Sequence, residues 1–137
     1  MKTMNLRVLR RIAIEDSGAA AVEFAIVSTA FIALVFGITY LGIMLNNKAM
    51  LQWAVEATIR KAAINTTVTQ TQLTTELNGY LSTAGLPNAT VTYNVGTGVI
   101  PVATLTGTFS QTYVIPYVST FNVTYSATAQ VPQGSGT

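Results

Sequence analysis

Residues 24–45 (FAIVSTAFIALVFGITYLGIML) run for 22 positions without a charged side chain. As a helix rising 1.5 Å per residue, such a run is about 33 Å long, enough to cross a hydrocarbon core of about 30 Å. Ser28, Thr29 and Thr39 fit such a helix because their hydroxyls can bond back to the preceding turn. The competing reading is a core helix of a water-soluble domain. That reading asks the other elements of a 137-residue chain to wrap an apolar rod on every side. A cleaved secretory signal fits poorly, since its apolar stretch is shorter and ends in a small-residue cut site. The segment Asn46-Asn47-Lys48-Ala49-Met50 offers no such site.

Charge sets the orientation. Only 9% of residues are charged, against about 25% in ordinary soluble domains. Residues 1–18 hold Lys2, Arg7, Arg10 and Arg11 against Glu15 and Asp16, while the rest of the chain balances three cations with three acids. The net +2 therefore belongs to the N-terminal stub. Positive flanks stay inside, so the N-terminus is expected in the cytoplasm and residues 46–137 outside. No basic surface is left for nucleic acid. There is no His and no Cys, and the five carboxylates are scattered. That composition argues against an enzyme, a cofactor and a metal site.

Residues 46–64 lack Gly and Pro, and Leu51, Val55, Ile59 and Ala62 recur at helical spacing beside Met50 and Ala54. Lys48, Gln52, Glu56 and Arg60 make a polar row, with Glu56 and Arg60 spaced for an ion pair. One helix is expected from about Ala19 to Ile64, some 68 Å long. Thr69-Gln-Thr-Gln72 reads as a capping box for a second helix over about 70–84. Leu73, Leu77, Tyr80, Leu81 and Ala84 form its apolar stripe, with Gly85 and Pro87 ending it. Period-two alternation follows through Val91–Val95, Ala103–Phe109 and Phe121–Val131. Gly96-Thr97-Gly98 is the expected turn, Pro101 and Pro116 belong at strand ends or on an edge, and Gln133–Thr137 reads as a frayed tail. The expected fold is α+β: a long transmembrane helix continuing into a small head with a second helix and three or four antiparallel strands. Trp53 suits either a headgroup anchor or packing between helix and head. The sequons at Asn65, Asn88 and Asn122 are expected by chance in so Thr-rich a chain.

Glu23 sits just inside the apolar run. An unpaired ionised carboxylate there costs a few kcal/mol, so it needs a partner or a place at the interface; its plainer reading is an acid favoured by the helix dipole. Ala21, Ala25, Thr29, Ala33 and Gly37 recur at steps of four and suit close packing of membrane helices. The order of a basic stub, then Gly18-Ala-Ala-Ala-Val-Glu23-Phe24, then a rod resembles a type IVb prepilin. More closely it resembles the TadE-like pseudopilins, or minor pilins, of the tight-adherence (Flp) pilus system. Ala54-Val-Glu-Ala-Thr-Ile-Arg-Lys-Ala-Ala63 fits that layout too.

The resemblance implies a leader over 1–18, a long helix over 19–64 and an extracytoplasmic head over 65–137. It implies cleavage between Gly18 and Ala19 by a prepilin peptidase, with Glu23 and the neighbouring Phe24 serving processing or assembly. The amine freed at Ala19 of an adjacent subunit is the implied counter-charge for Glu23. Implied partners are the peptidase, other pilin and pseudopilin subunits, the inner-membrane assembly platform and the lipid bilayer. The implied location is the bacterial inner membrane or a surface pilus. Phe24 stands where small Flp pilins carry Tyr, and Ala19 and Ala-Val depart from the type IVa pattern. The alternative reading is an uncleaved single-pass anchor bearing a binding module outside the membrane.

Overall fold

The computed structural model describes residues 16–115 and 119–133. Most of the expected leader, Pro116 with its expected place at a strand end or edge, and the last four residues lie outside them. The elements in chain order are α1 (Asp16–Ile64), α2 (Gln70–Thr83), β1 (Thr90–Val95), β2 (Val102–Ile115) and β3 (Ser119–Pro132). The chain divides into two units, one ending at Leu41 and one beginning at Gly42. Each is described on its own.

In the first unit α1 is a regular helix with exposed side chains. Phe24, Ile26, Val27, Phe31, Leu34 and Ile38 are all at least 60% exposed. None of its most apolar 18-residue window, of mean hydropathy 2.2, is buried, which removes the core-helix reading. Thr29 and Thr39 donate their hydroxyls to Ala25 O and Val35 O, each at 2.8 Å. These are the back-bonds that let hydroxyls sit in an apolar helix.

The second unit is built on a sheet of order β1-β2-β3, antiparallel throughout. It has three strands among the described residues, the lower of the two expected counts. Leu51, Ala54, Val55, Ile59 and Ala62 of α1, with Leu73, Leu77 and Leu81 of α2, supply the helical side of the core. Ala103, Leu105, Phe109, Tyr113 and Tyr125 supply the sheet side. Each fully buried Leu contributes about 1.5–3 kcal/mol of apolar transfer. Gly107 sits where helices and sheet meet most closely: a Cβ there would lie 3.0 Å from Val55 Cγ2 and 3.4 Å from both Leu51 Cδ1 and Leu77 Cδ1. The opposite face of the sheet is a ladder of hydroxyls and amides. Thr106 meets Thr128 at 2.9 Å, and Ser110 meets Thr124 at 2.9 Å.

The ends of α2 follow their sequence signals. Thr69 Oγ1 accepts from Gln72 N, and Gln72 Oε1 accepts from Thr69 N, completing the capping box. At the other end Gly85 takes φ +70°, Leu86 N donates to Leu81 O and Gly85 N to Ser82 O. That is the paired bonding of a Schellman ending, which favours Gly at the left-handed position.

Several expectations are corrected. Ala84 caps α2 and is exposed, not part of the apolar stripe. Glu56 accepts from Gln52 Nε2 at 3.2 Å, and the ion pair among the described residues is Lys61–Glu76 at 2.6 Å instead of Glu56–Arg60. The pairing lies across helices because Glu76 is held beside the last turn of α1. Gln133 is not frayed. It is 5% exposed, its N–H donates to Pro101 O, and its Nε2 donates to Ala62 O and Tyr93 Oη. Trp53 packs edge-on against Tyr80 of α2, ring centres 5.2 Å apart, so it serves helix–head packing.

Candidate functional site

Gly18, Ala19, Glu23 and Phe24 all lie in the first turns of α1 and are exposed. The helix is continuous through Gly18 and is already formed at Asp16, before the expected start at about Ala19. A helical Gly costs about 1 kcal/mol against Ala. A Cβ added at Gly18 would meet nothing within 4 Å.

Glu23 lies one turn beyond Ala19, at i,i+4, so the two share a face. Its neighbours Val22 and Phe24 are 61% and 73% exposed. At about 100° per residue, the acid faces away from Ala21 and Ala25, which are two positions to either side.

The row of small residues has a geometry that the step of four conceals. Each step advances about 40° around the helix, so Ala21 and Gly37 end about 160° apart. The row is an oblique ridge rather than a straight groove. A crossing helix can meet about three successive members, centred on Ala25, Thr29 and Ala33, as in right-handed small-residue crossings. No atom lies within 4 Å of a Cβ built at Gly37.

Two further clusters escaped the sequence reading. Asn47, 6% exposed in α1, donates to Gln111 Oε1 at 2.9 Å and Tyr113 Oη at 2.8 Å; Tyr113 and Tyr125 hydroxyls meet at 2.6 Å. Burial, then the bond with Tyr113, pushes the Tyr125 phenol up to about 12, so it stays neutral and structural. The signal was faint: a second Asn closing the apolar run, and Gln111 on the inward side of a strand. The second is a groove of about 570 Å³ lined by Lys61, Ile64, Val68, Thr71, Thr75 and Glu76. The hydrogen bond from Lys61 to Glu76 holds the ammonium above its ordinary value, so both charges are engaged with each other. Among the described residues no three His, Cys, Asp or Glu side chains gather where they could hold a metal.

Among known proteins, the model of the TadE-like protein family matches residues 18–60. No curated protein and no solved structure matches the chain.

Proposed function

We propose that this chain, whose residues 18–60 match the TadE-like family, is a minor pilin or pseudopilin of a tight-adherence pilus. A prepilin peptidase trims it after Gly18, and residues 24–45 hold it in the bacterial inner membrane with the head outside. From there it joins other pilin and pseudopilin subunits at the inner-membrane assembly platform and serves surface attachment. The leader is 1–18, the long helix 19–64 and the head 65–137. One observation carries the reading: the family match begins at Gly18 and takes in the apolar run 24–45, whose large hydrophobic side chains are exposed. Such a surface calls for lipid or for other rods.

The chemistry follows from the first turns. Cleavage leaves an ammonium at Ala19, on a helix end where the dipole favours anions. Glu23, one turn away, supplies the anion. Within an apolar bundle neither charge is tolerable alone. The Ala19 amine of an adjacent subunit neutralises Glu23 and so couples trimming to association. The chain's own amine can also reach Glu23, but that pair leaves subunits unlinked. Phe24 adds an apolar ring beside the acid and keeps water from the pair. Ala25, Thr29 and Ala33 let a second rod approach closely.

The decisive measurement is the N-terminal sequence of membrane-extracted protein from cells carrying the matching peptidase. It is expected to start at Ala19. An intact Met1 would instead favour the uncleaved anchor with a binding head. Glu23→Gln and Ala33→Leu are expected to insert normally yet to lose co-isolation with partner subunits. Wild-type recovery in the first would remove the charge pairing, and in the second the close-packed ridge.

A further inference from the structure

Within the second unit, contacts at three levels order the sheet along α1. Asn47 donates to Gln111 and Tyr113, near the end of β2. Leu51 and Val55 stand over Gly107, near its middle. Ala62 O accepts from Gln133, which is itself bonded to Pro101 just before β2 begins. β2 therefore runs back along α1, from the Ala62 end toward the Asn47 end. Gly42–Leu45, the last turn of the apolar run, belongs to this same unit, so its level can be compared with that of β2.

From Asn47 to Ala62 α1 rises about 22 Å, while the chain from Thr112 back to Pro101 spans about 36 Å. The strand is thus inclined, and each of its residues advances about 2 Å along the helix axis. Ile115, three residues past Thr112, lies about 6 Å nearer the apolar run than Asn47 does, and Leu45 lies about 3 Å nearer. The end of β2 is level with the last turn of the run.

The surface of the sheet changes at that end. The outer row of β2 carries hydroxyls at Thr104, Thr106, Thr108, Ser110 and Thr112, and then Val114, which is 60% exposed. On the inner face Tyr113 stacks on Phe121 with ring centres 5.6 Å apart, and Phe121 and Ile115 are only half-buried. Residues 77–137 contain no Asp, Glu, Lys or Arg, so this end brings no charge to an apolar medium. Lys48, exposed and one residue beyond Asn47, places an ammonium beside it, where a long stem can lie along apolar surface and its head among phosphates. Aromatic and aliphatic side chains with a flanking cation suit the boundary between hydrocarbon and headgroups.

We propose that the Val114–Ile115 end of β2, with Phe121 beside it, seats the head on the lipid surface from which α1 emerges. The contact presupposes the proposed span over residues 24–45. Lipid is the occupant because a bilayer that ends at Leu45 ends at the level of Ile115. Val102, on the same face of the same strand and 39% exposed, lies about 40 Å away along β2 and stays in water.

The chain has no cysteine, so each introduced thiol carries one fluorophore without background. Full-length Val35→Cys, Val114→Cys and Val102→Cys proteins are labelled with nitrobenzoxadiazole and reconstituted in phosphatidylcholine vesicles, with and without doxyl-labelled lipid. All three side chains are exposed, so the label leaves the core intact, and Trp53 fluorescence verifies the head. Blue-shifted emission that doxyl lipid quenches is expected at Val35→Cys and Val114→Cys, and neither change at Val102→Cys. Quenching at Val35→Cys with a Val114→Cys signal like that of Val102→Cys overturns the contact and leaves the span in place. An unquenched Val35→Cys overturns both. Equal quenching at Val102→Cys and Val114→Cys also overturns the contact. So does a blue shift at Val114→Cys that doxyl lipid leaves unquenched, which would place a protein neighbour there in place of lipid.

Discussion

Gly18→Leu protein is expected to remain at full length in the membrane, with no chain beginning at Ala19. The substitution separates processing from folding. Gly18 is exposed on α1, and a Cβ built there meets nothing within 4 Å, so leucine fits the folded chain without strain. Its effects fall on the cut itself. A peptidase must draw an extended backbone into its site, and a helical substrate has first to unwind. Leucine strengthens the first turn by nearly 1 kcal/mol relative to glycine. It also places a branched side chain beside the scissile bond, where glycine presents none. The readout is an immunoblot against the head in cells expressing the matching peptidase, followed by N-terminal sequencing of the product. A Gly18→Leu chain that matures at Ala19 at the wild-type rate would refute the assigned cut. Unimpaired insertion with blocked maturation is the expected pattern, because the apolar run 24–45 is untouched.

What the sequence discloses here is what short range decides. The Thr69–Gln72 box, the Gly85 ending and the Leu51-Val55-Ile59-Ala62 stripe are each settled within a few residues, and each is found as expected. The alternation Thr124–Val131 likewise separates a hydroxyl face from an inward one. Contacts closed across the fold were not legible. Asn47 reaches Gln111 and Tyr113 across 64 and 66 positions, and Gln133 reaches Ala62 across 71. Such pairs depend on strand register and on which turn of α1 overlies which strand, and no local pattern carries that. The i,i+4 rule pointed Glu56 to Arg60, whereas an acid on another helix took the neighbouring Lys61. Exposed i,i+4 pairs are worth only a few tenths of a kcal/mol, too little to override the geometry of two packed helices. The candidate site divides in the same way. The order Gly18, Glu23, apolar run is visible in the sequence and continuous on the helix, but a counter-charge on another molecule lies outside any single chain.

Leu77→Ala is expected to destabilise the head by about 2–5 kcal/mol. Leu77 is 0% exposed, midway along the Leu73-Leu77-Leu81 stripe, and its Cδ1 stands 3.4 Å from the Cβ position above Gly107. Truncation there opens a hole at the closest approach of helices and sheet. The space cannot close by bringing the sheet nearer, since Val55 already reaches to 3.0 Å of that same Cβ position. The lost transfer energy and the unfilled cavity therefore add. Domains of this size hold about 5–15 kcal/mol in total, so the loss is a large share of the stability available. At about 4–8 °C per kcal/mol, the unfolding midpoint should fall by at least about 8 °C. The single tryptophan gives the measurement, because Trp53 lies edge-on to Tyr80, three residues along α2 from the substitution. Thermal unfolding of the full chain in detergent, followed by Trp53 fluorescence and near-ultraviolet dichroism, should show an early loss of the head. The far-ultraviolet helix signal of the apolar rod should persist, since that rod belongs to the other unit. An unchanged midpoint would mean that the α2 stripe is not what holds the sheet, and the packing derived from Leu51, Val55 and Leu77 around Gly107 would have to be abandoned.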